Sequence, residues 1–179
     1  MLYVLAPEHA GLTSKEQPSL YWYLSGASRT NKLELTWNVE RSRETLLSVS
    51  VNEPSSGFHQ LDLAKHNITL QPGMAYRFSI ALVIDPENRS RDVFASGVII
   101  RTNLAPSLEQ KLHPAIHEER PFFCAEAGLW YDALESLANL IAAQPANPHF
   151  LEQRDALLNQ VGLTNVVRCE ANLVAKPSE

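Results

Sequence analysis

The stretch from Leu70 to Arg101 constrains the fold more than any other part of the chain. In its first half every second residue is large and apolar, and a second apolar run follows a polar turn at 86–90. A period of two is typical of a strand with one face in a core. Two such runs around a polar turn predict a β-hairpin. The apolar positions of the first strand are Met74, Tyr76, Phe78, Ile80, Leu82 and Ile84.

Five shorter strand-like segments precede this hairpin, which gives seven strands at the spacing of an all-β sandwich. The turn that leads into the hairpin resembles the tyrosine corner of fibronectin type III and related immunoglobulin-like domains, and a simple Pro-Gly turn is the alternative. We therefore predict a seven-stranded immunoglobulin-like antiparallel β-sandwich over residues 1–103. The residues with a predicted structural role are the corner and two core aromatics: Pro72, Gly73, Tyr76, Trp22 and Trp37.

After residue 103 the pattern becomes helical, so the predicted fold class is α+β. A stripe of apolar residues at helical spacing begins at Trp130, directly after Gly128, and Pro145 ends it. This segment resembles the second half of one tetratricopeptide repeat, in which the glycine lets two helices approach. We predict a helical hairpin or three-helix segment over residues 104–162, packed on the sandwich or on a partner, and a tail over residues 163–179.

Three blocks of the sequence resemble the bacterial family catalogued as domain of unknown function 928. They are LAPEHAGLTSKEQPSLYWYLSG, AYRFSIALVIDPENRSRDVFASGVIIR and AEAGLWYDALESL. The resemblance implies a protein exported in Gram-negative and cyanobacterial cells, hence a periplasmic or similar location, and it implies no reaction. Because the first residues lack the basic and apolar regions of a signal peptide, a cytoplasmic location and a trimmed exported domain both stay open.

Composition and motifs argue against several classes of function. The net charge of −5 gives no basic footprint for nucleic acid, and no apolar run is long enough to predict a membrane span. The sequence contains no phosphate-binding, dinucleotide-binding or hydrolase motif, and we predict no cofactor. His113 and His117, followed by Glu118 and Glu119, are residue types that bind metals, but Pro114 disfavours one regular helical turn there, so we predict a solvated helix start and no metal site.

The two cysteines leave a second question open. Cys124 and Cys169 either form one disulfide or remain free, and an apolar run around Cys124 predicts that burial raises the pKa of its thiol. A thiol with a raised pKa is a poor nucleophile, so Cys124 does not support an enzymatic function.

The best candidates for function are surfaces. If Trp22 is in the core, Tyr21 and Tyr23 lie on the opposite face of their strand and would be free to stack on a sugar or a partner; cover by the C-terminal helices is the alternative. Charged residues around the hairpin turn either bind a partner or bond the turn itself. Trp130 is predicted to be core and its neighbours exposed. The remaining candidate surface residues are Asp85, Arg89, Asp92, Tyr131 and Asp132.

These observations favour a non-enzymatic protein-interaction module of the bacterial cell envelope. The alternative is a carbohydrate- or cell-wall-binding domain that uses the exposed strand aromatics. An enzyme of unrecognised type is a third hypothesis, and it requires a cleft with converging titratable groups. The sequence does not determine the oligomeric state.

Overall fold

The computed structural model of the protein describes residues 1–26, 32–42 and 44–174. In this part of the chain eight strands form two sheets, and five helices follow them. The strands are β1 (Leu2–Val4), β2 (Gly11–Thr13), β3 (Ser19–Leu24), β4 (Lys32–Val39), β5 (Thr45–Asn52), β6 (Gly57–Asp62), β7 (Ala75–Val83) and β8 (Val93–Arg101). The helices are α1 (Pro106–Leu112), α2 (Arg120–Glu126), α3 (Trp130–Ala143), α4 (Pro148–Gln160) and α5 (Thr164–Val174).

The predicted hairpin forms the centre of the larger sheet. Strands β7 and β8 pair antiparallel, and the five-stranded sheet has the order β2-β8-β7-β4-β5. Tyr76, Phe78 and Ile80 are buried as the alternation predicts. Trp37 on β4 stacks against Tyr76 with ring centroids 5.4 Å apart, so the central strands share a packed aromatic core. The prediction of a strand with one face in the core is confirmed from Tyr76 to Ile80, whereas beyond Ile80 the other face is buried as well, at Ala81 and Val83.

The smaller sheet has the order β1-β3-β6 and is antiparallel. Its residues Leu20, Trp22 and Leu24 belong to the same hydrophobic cluster as Trp37 and Phe78, so the two sheets contribute to one core. The predicted core role of Trp22 is therefore confirmed. All six residues of β3 are buried, which requires that both faces of this strand are covered.

The predicted seven-stranded antiparallel sandwich is wrong in strand number and in one pairing. The additional strand is β2, which has three residues and runs parallel to β8, with Gly11 opposite Ile99 and Thr13 opposite Arg101. Three residues are too few to show an alternation, and they lie in a turn-rich segment. An immunoglobulin-like topology is therefore not confirmed, whereas the α+β class is.

The turn before β7 is held by contacts of a side chain and of the backbone. The Tyr76 hydroxyl accepts a hydrogen bond from the backbone N–H of Gln71 at 3.0 Å. Gly73 has a φ of 76°, a backbone conformation that favours glycine, and Pro72 forms an isolated bridge to Arg101. These contacts fix the start of β7, and they do not confirm the immunoglobulin-like corner.

The C-terminal helices pack on both sheets and on each other. Helix α3 contacts β2, β3, α2 and α4, and α4 contacts α5. Gly128 has a φ of 74°, and a Cβ added to it would meet no heavy atom within 4 Å. The left-handed backbone therefore explains this glycine, and the predicted close approach of two helices does not. The tail predicted from residue 163 instead contains α5, and residues 175–179 of that tail lie outside the described part.

No helix in the described part of the chain is long and apolar enough to cross a membrane.

Candidate interaction surfaces

The two tyrosines predicted to form an exposed platform are buried. Tyr21 is 5% exposed and Tyr23 is 0% exposed. The Tyr23 ring packs edge-on against Phe58 of β6, and the guanidinium of Arg154 on α4 lies 4.3 Å from the centre of the Phe58 ring. Burial raises the pKa of both tyrosines. The prediction that Tyr21 and Tyr23 form an exposed platform for stacking on sugars is therefore wrong. The structure shows the alternative, a strand covered on both faces.

Charged residues around the β7–β8 turn bond to each other and to the backbone. Arg89 donates to Asp92 at 2.6 Å and to Glu34 at 2.8 Å, and the Asp85 carboxylate accepts from the N–H of Glu87 at 3.0 Å. Hydrogen bonds to Asp92, and next to Glu34, raise the pKa of the Arg89 guanidinium. These contacts order the turn, and a role in partner binding stays a prediction.

The start of α3 is a structural joint and is not exposed. Trp130 is core as predicted, and its ring N–H donates to the carbonyl of Leu5 at 3.1 Å. Tyr131, predicted to be exposed, is completely buried, and its hydroxyl donates to the carbonyl of Val98 at 3.1 Å. Gly11 is required beside it, because a Cβ on Gly11 would lie 2.6 Å from the Tyr131 ring.

Asp132 is likewise buried, at 3% exposure, and the prediction of an exposed carboxylate is wrong. One carboxylate oxygen accepts from the Thr13 hydroxyl at 2.6 Å, and the other accepts from the Ser14 N–H at 2.8 Å. These two bonds tie the first turn of α3 to the end of β2. No local pattern identifies them, because Asp132 and its partners are far apart in the sequence.

An open cleft of about 860 Å³ lies between the end of β2 and the helices. Asp132 and Cys124 line it, and His113, His117 and Arg120 lie along its exposed side. The Asp132 carboxylate is already bonded to the β2 end. Among the described residues no group of three or more His, Cys, Asp or Glu side chains has the arrangement of a metal site.

The Cys124 thiol is protonated near neutral pH. Burial, and next the negative charge of Asp132, raises its pKa to about 11. Cys124 and Cys169 are both free, so the disulfide that the sequence left open is not formed. A protonated thiol does not act as a nucleophile, so Cys124 is not an activated cysteine.

We expect alkylation of Cys124 by iodoacetamide to be slow in the folded protein at pH 8. A thiol with a pKa near 11 is ionised in about one molecule in a thousand at that pH, whereas an unfolded cysteine has a pKa of about 8.5. Because the folded pKa is the higher one, the thiolate favours the unfolded state, and stability falls as pH rises above about 8.5.

Peptide mapping by mass spectrometry measures this rate from pH 7 to alkaline pH, with the urea-unfolded chain as the control. The folded protein should reach half of its maximal rate about 2.5 pH units above the unfolded chain. Equal pH profiles in the two states would contradict a raised pKa.

Strand β5 has a free edge. It ends the five-stranded sheet, and among the described residues no strand pairs with its outer side. Its eight residues, TLLSVSVN, contain no charge and no proline. Leu47, Val49 and Val51 face the same way as the buried residues with which they pair on β4, and Val51 is still 40% exposed. An unpaired row of backbone groups is a template for another strand.

The sequence contains part of the signal for this edge. The alternation at Leu47, Val49 and Val51 predicts a strand, but the neighbours of a strand depend on the complete topology. The free edge is therefore visible only in the folded structure.

The fold and these surfaces define an α+β protein with two sheets around one core, a helical layer and one long free strand edge. The sequence profile that matches residues 1–170 is that of the Domain of Unknown Function (DUF928). The chain therefore belongs to this family, which confirms the resemblance of the three sequence blocks. No curated protein sequence matches the chain.

Three solved structures are similar over part of the chain. A family 76 glycoside hydrolase from a bovine Bacteroides thetaiotaomicron strain is 13% identical over 57% of this chain, with a TM-score of 0.36. The E. coli chaperone DraB is 8% identical over 60% (TM-score 0.35), and the periplasmic chaperone SfaE is 7% identical over 68% (TM-score 0.37). The chain spans 19%, 56% and 62% of their respective lengths. Similarity at this level carries no argument about function.

Proposed function

We propose that the protein is a non-enzymatic protein-interaction module of the bacterial cell envelope, and that its partner adds an extended segment to the free edge of β5. The observation that carries this proposal is the uncharged eight-residue edge of the larger sheet. Strand addition supplies main-chain hydrogen bonds along the edge, and side chains at alternate positions supply specificity.

The character of β5 supports this proposal, because natural edge strands usually carry protection against pairing. The usual devices are short length, charged side chains, proline, bulges, or cover by a helix or loop. Strands β1 and β2 have only three residues each, and β6 has six residues and ends in the charged Asp62. Strand β5 is longer and has neither charge nor proline, and its pairing with β4 is regular from Leu47 to Asn52, with a register shift only at its first residues. Its edge is therefore the best surface for a partner strand.

The non-enzymatic part of the proposal has separate support from the cleft. Its buried ionisable groups have structural roles, since Asp132 bonds to Thr13 and Ser14 and the raised pKa keeps the Cys124 thiol protonated. The envelope location has its support in the family resemblance, which implies export. Fractionation of the native cells tests it, because a protein confined to the cytoplasmic fraction would contradict the location.

Affinity capture from the native cells with three forms of the full chain tests the binding surface. Ser48→Lys/Ser50→Lys adds two charges on exposed positions of β5, and Ser55→Lys/Ser56→Lys adds the same charges at exposed positions just beyond the strand. We expect the wild-type and Ser55→Lys/Ser56→Lys chains to retain the same partner and the β5 variant to lose at least about nine-tenths of it, because charges on an edge oppose strand pairing. Equal retention by all three forms would contradict the proposal.

A further inference from the structure

We infer that the strand which adds to β5 is the β5 strand of a second copy of this chain, so that two five-stranded sheets join into one continuous sheet across a two-fold axis. This inference rests on the proposed function, because it names the partner of the same edge. Symmetric pairing through one identical surface is the commonest way in which soluble proteins form dimers.

Geometry limits the possible registers of such a pair. If the two-fold axis is perpendicular to the sheet, the core-facing sides of both copies lie on the same face of the joined sheet. Residues directly opposite each other in antiparallel strands point to the same side, so a core-facing residue of one copy must meet a core-facing residue of the other. Of the core-facing residues, Leu47, Val49 and Val51 are apolar.

One register satisfies this condition from Leu47 to Val51, the regular part of the strand beyond its register shift. With Val49 on the axis, Leu47 of each copy faces Val51 of the other, and the core-facing side of the interface is apolar along these three positions. On the outer side Ser48 faces Ser50. A register shifted by two residues places Val51 opposite Thr45, which lies across the register shift and pairs with Asn38 of β4. The strand sequence is therefore self-complementary around Val49.

The charge distribution is compatible with this register. The eight residues of β5 carry no charge, so pairing buries no ionised side chain within the strand. Glu44 and Glu53 are exposed and lie beyond the two ends of β5. An extended segment of a different protein would need a matching alternation of its own, whereas a second copy supplies it by symmetry.

The contact between the two β5 strands would be small, so we expect it to be weak. An edge of about five residue pairs is at the low end of interface size, so a weak dimer with a dissociation constant in the micromolar range is expected. The partly exposed side chains of Leu47, Val49 and Val51 would lose contact with water in the dimer, which supplies the apolar contribution.

Analytical ultracentrifugation of the full chain from low to high micromolar concentration tests the inference. The wild type should approach twice the monomer mass, and both Ser48→Lys/Ser50→Lys and Ser48→Glu/Ser50→Glu should stay monomeric, because like charges then face each other across the axis. An equimolar mixture of the two variants should form a dimer again. Circular dichroism checks that each variant is folded.

A disulfide test reports the register independently. In a Cys169→Ser background, Val49→Cys places two thiols opposite each other at about 5 Å between Cβ atoms, within reach of a disulfide after small adjustment. Val51→Cys places them about 13 Å apart, because the two residues are then four positions out of register. We expect a covalent dimer of the first variant only.

The outcomes separate this inference from the proposed function. A wild-type chain that stays monomeric, a dimer that both charge variants retain, or equal disulfide yields at the two positions would overturn the inference. If the capture experiment still shows a different protein that depends on Ser48 and Ser50, the proposed function stands and its partner is that protein. If the captured partner does not depend on the edge of β5 either, the inference and the proposed function are both wrong.

Discussion

Replacement of Asp132 by alanine is expected to lower the free energy of unfolding by about 3 kcal/mol, because it leaves the Thr13 hydroxyl and the Ser14 N–H without their acceptor. Thr13 is completely buried, so water does not readily replace the lost oxygen. The bonds join α3 to β2, and their loss should loosen the attachment of the helical layer to the larger sheet. Urea unfolding followed by tryptophan fluorescence measures the change.

Two further variants control this experiment. Asp132→Asn keeps one acceptor oxygen and should cost about half as much. Glu109→Ala removes a carboxylate from the exposed side of the same cleft and should change stability by less than about 0.5 kcal/mol. If Asp132→Ala lowers the free energy of unfolding by less than about 1 kcal/mol, the carboxylate does not stabilise the attachment of α3 to β2.

Replacement of Arg154 by alanine is expected to cost about 2 kcal/mol at neutral pH. Arg154 is 7% exposed, donates to Asp155 at 2.9 Å, and also bonds Glu170 of α5. Removal of one partner from a buried ion pair costs about 3–5 kcal/mol, and we reduce this value because Asp155 and Glu170 are partly exposed. The guanidinium also covers the Phe58 ring of β6, so the same change uncovers the smaller sheet.

The pH dependence of this loss distinguishes the ion pair from lost packing. Burial raises the pKa of Glu170, and Arg154 opposes this shift. For an acid with a raised folded pKa, stability declines as pH rises from the unfolded value through the folded one. The arginine offsets that decline, so the cost of Arg154→Ala should be larger at pH 7 than at pH 4.

Urea unfolding at the two pH values measures this difference, with Arg168→Ala on the exposed side of α5 as the control. We expect the control to change stability by less than about 0.5 kcal/mol at either pH. An equal cost of Arg154→Ala at pH 4 and pH 7 would mean that the side chain acts through packing alone.

The elements with strong periodicity can be predicted from the sequence. The alternation from Tyr76 to Ile80 defines a strand segment with one buried face, and the helical stripe from Trp130 places that residue in the core. These predictions succeed because each pattern directly distinguishes the buried face of an element from its exposed face. The family assignment succeeds for a different reason, since three separate blocks of residues carry it.

Other features depend on contacts that a local pattern does not contain. The sequence of β3, SLYWYL, is apolar on both faces, which is typical of a strand that is covered on both sides. The same sequence also permits the interpretation that Tyr21 and Tyr23 are exposed, and only the packing of the other elements decides between the two. Asp132 is expected at the surface because aspartate in the first helical turn is usually solvated, yet β2 folds onto it. Local patterns also miss β2, because it is very short.

Photo-cross-linking in the native cells tests the central claim, that the free edge of β5 binds a partner strand, most directly. A photoreactive amino acid replaces Ser50 on the edge or, as the matched control, Ser55 just beyond the strand; both positions are exposed. We predict a cross-linked protein from position 50, with the attachment site in an extended segment of that protein or in β5 of a second copy, and none from position 55. No product from position 50, or the same products from both positions, would contradict the claim.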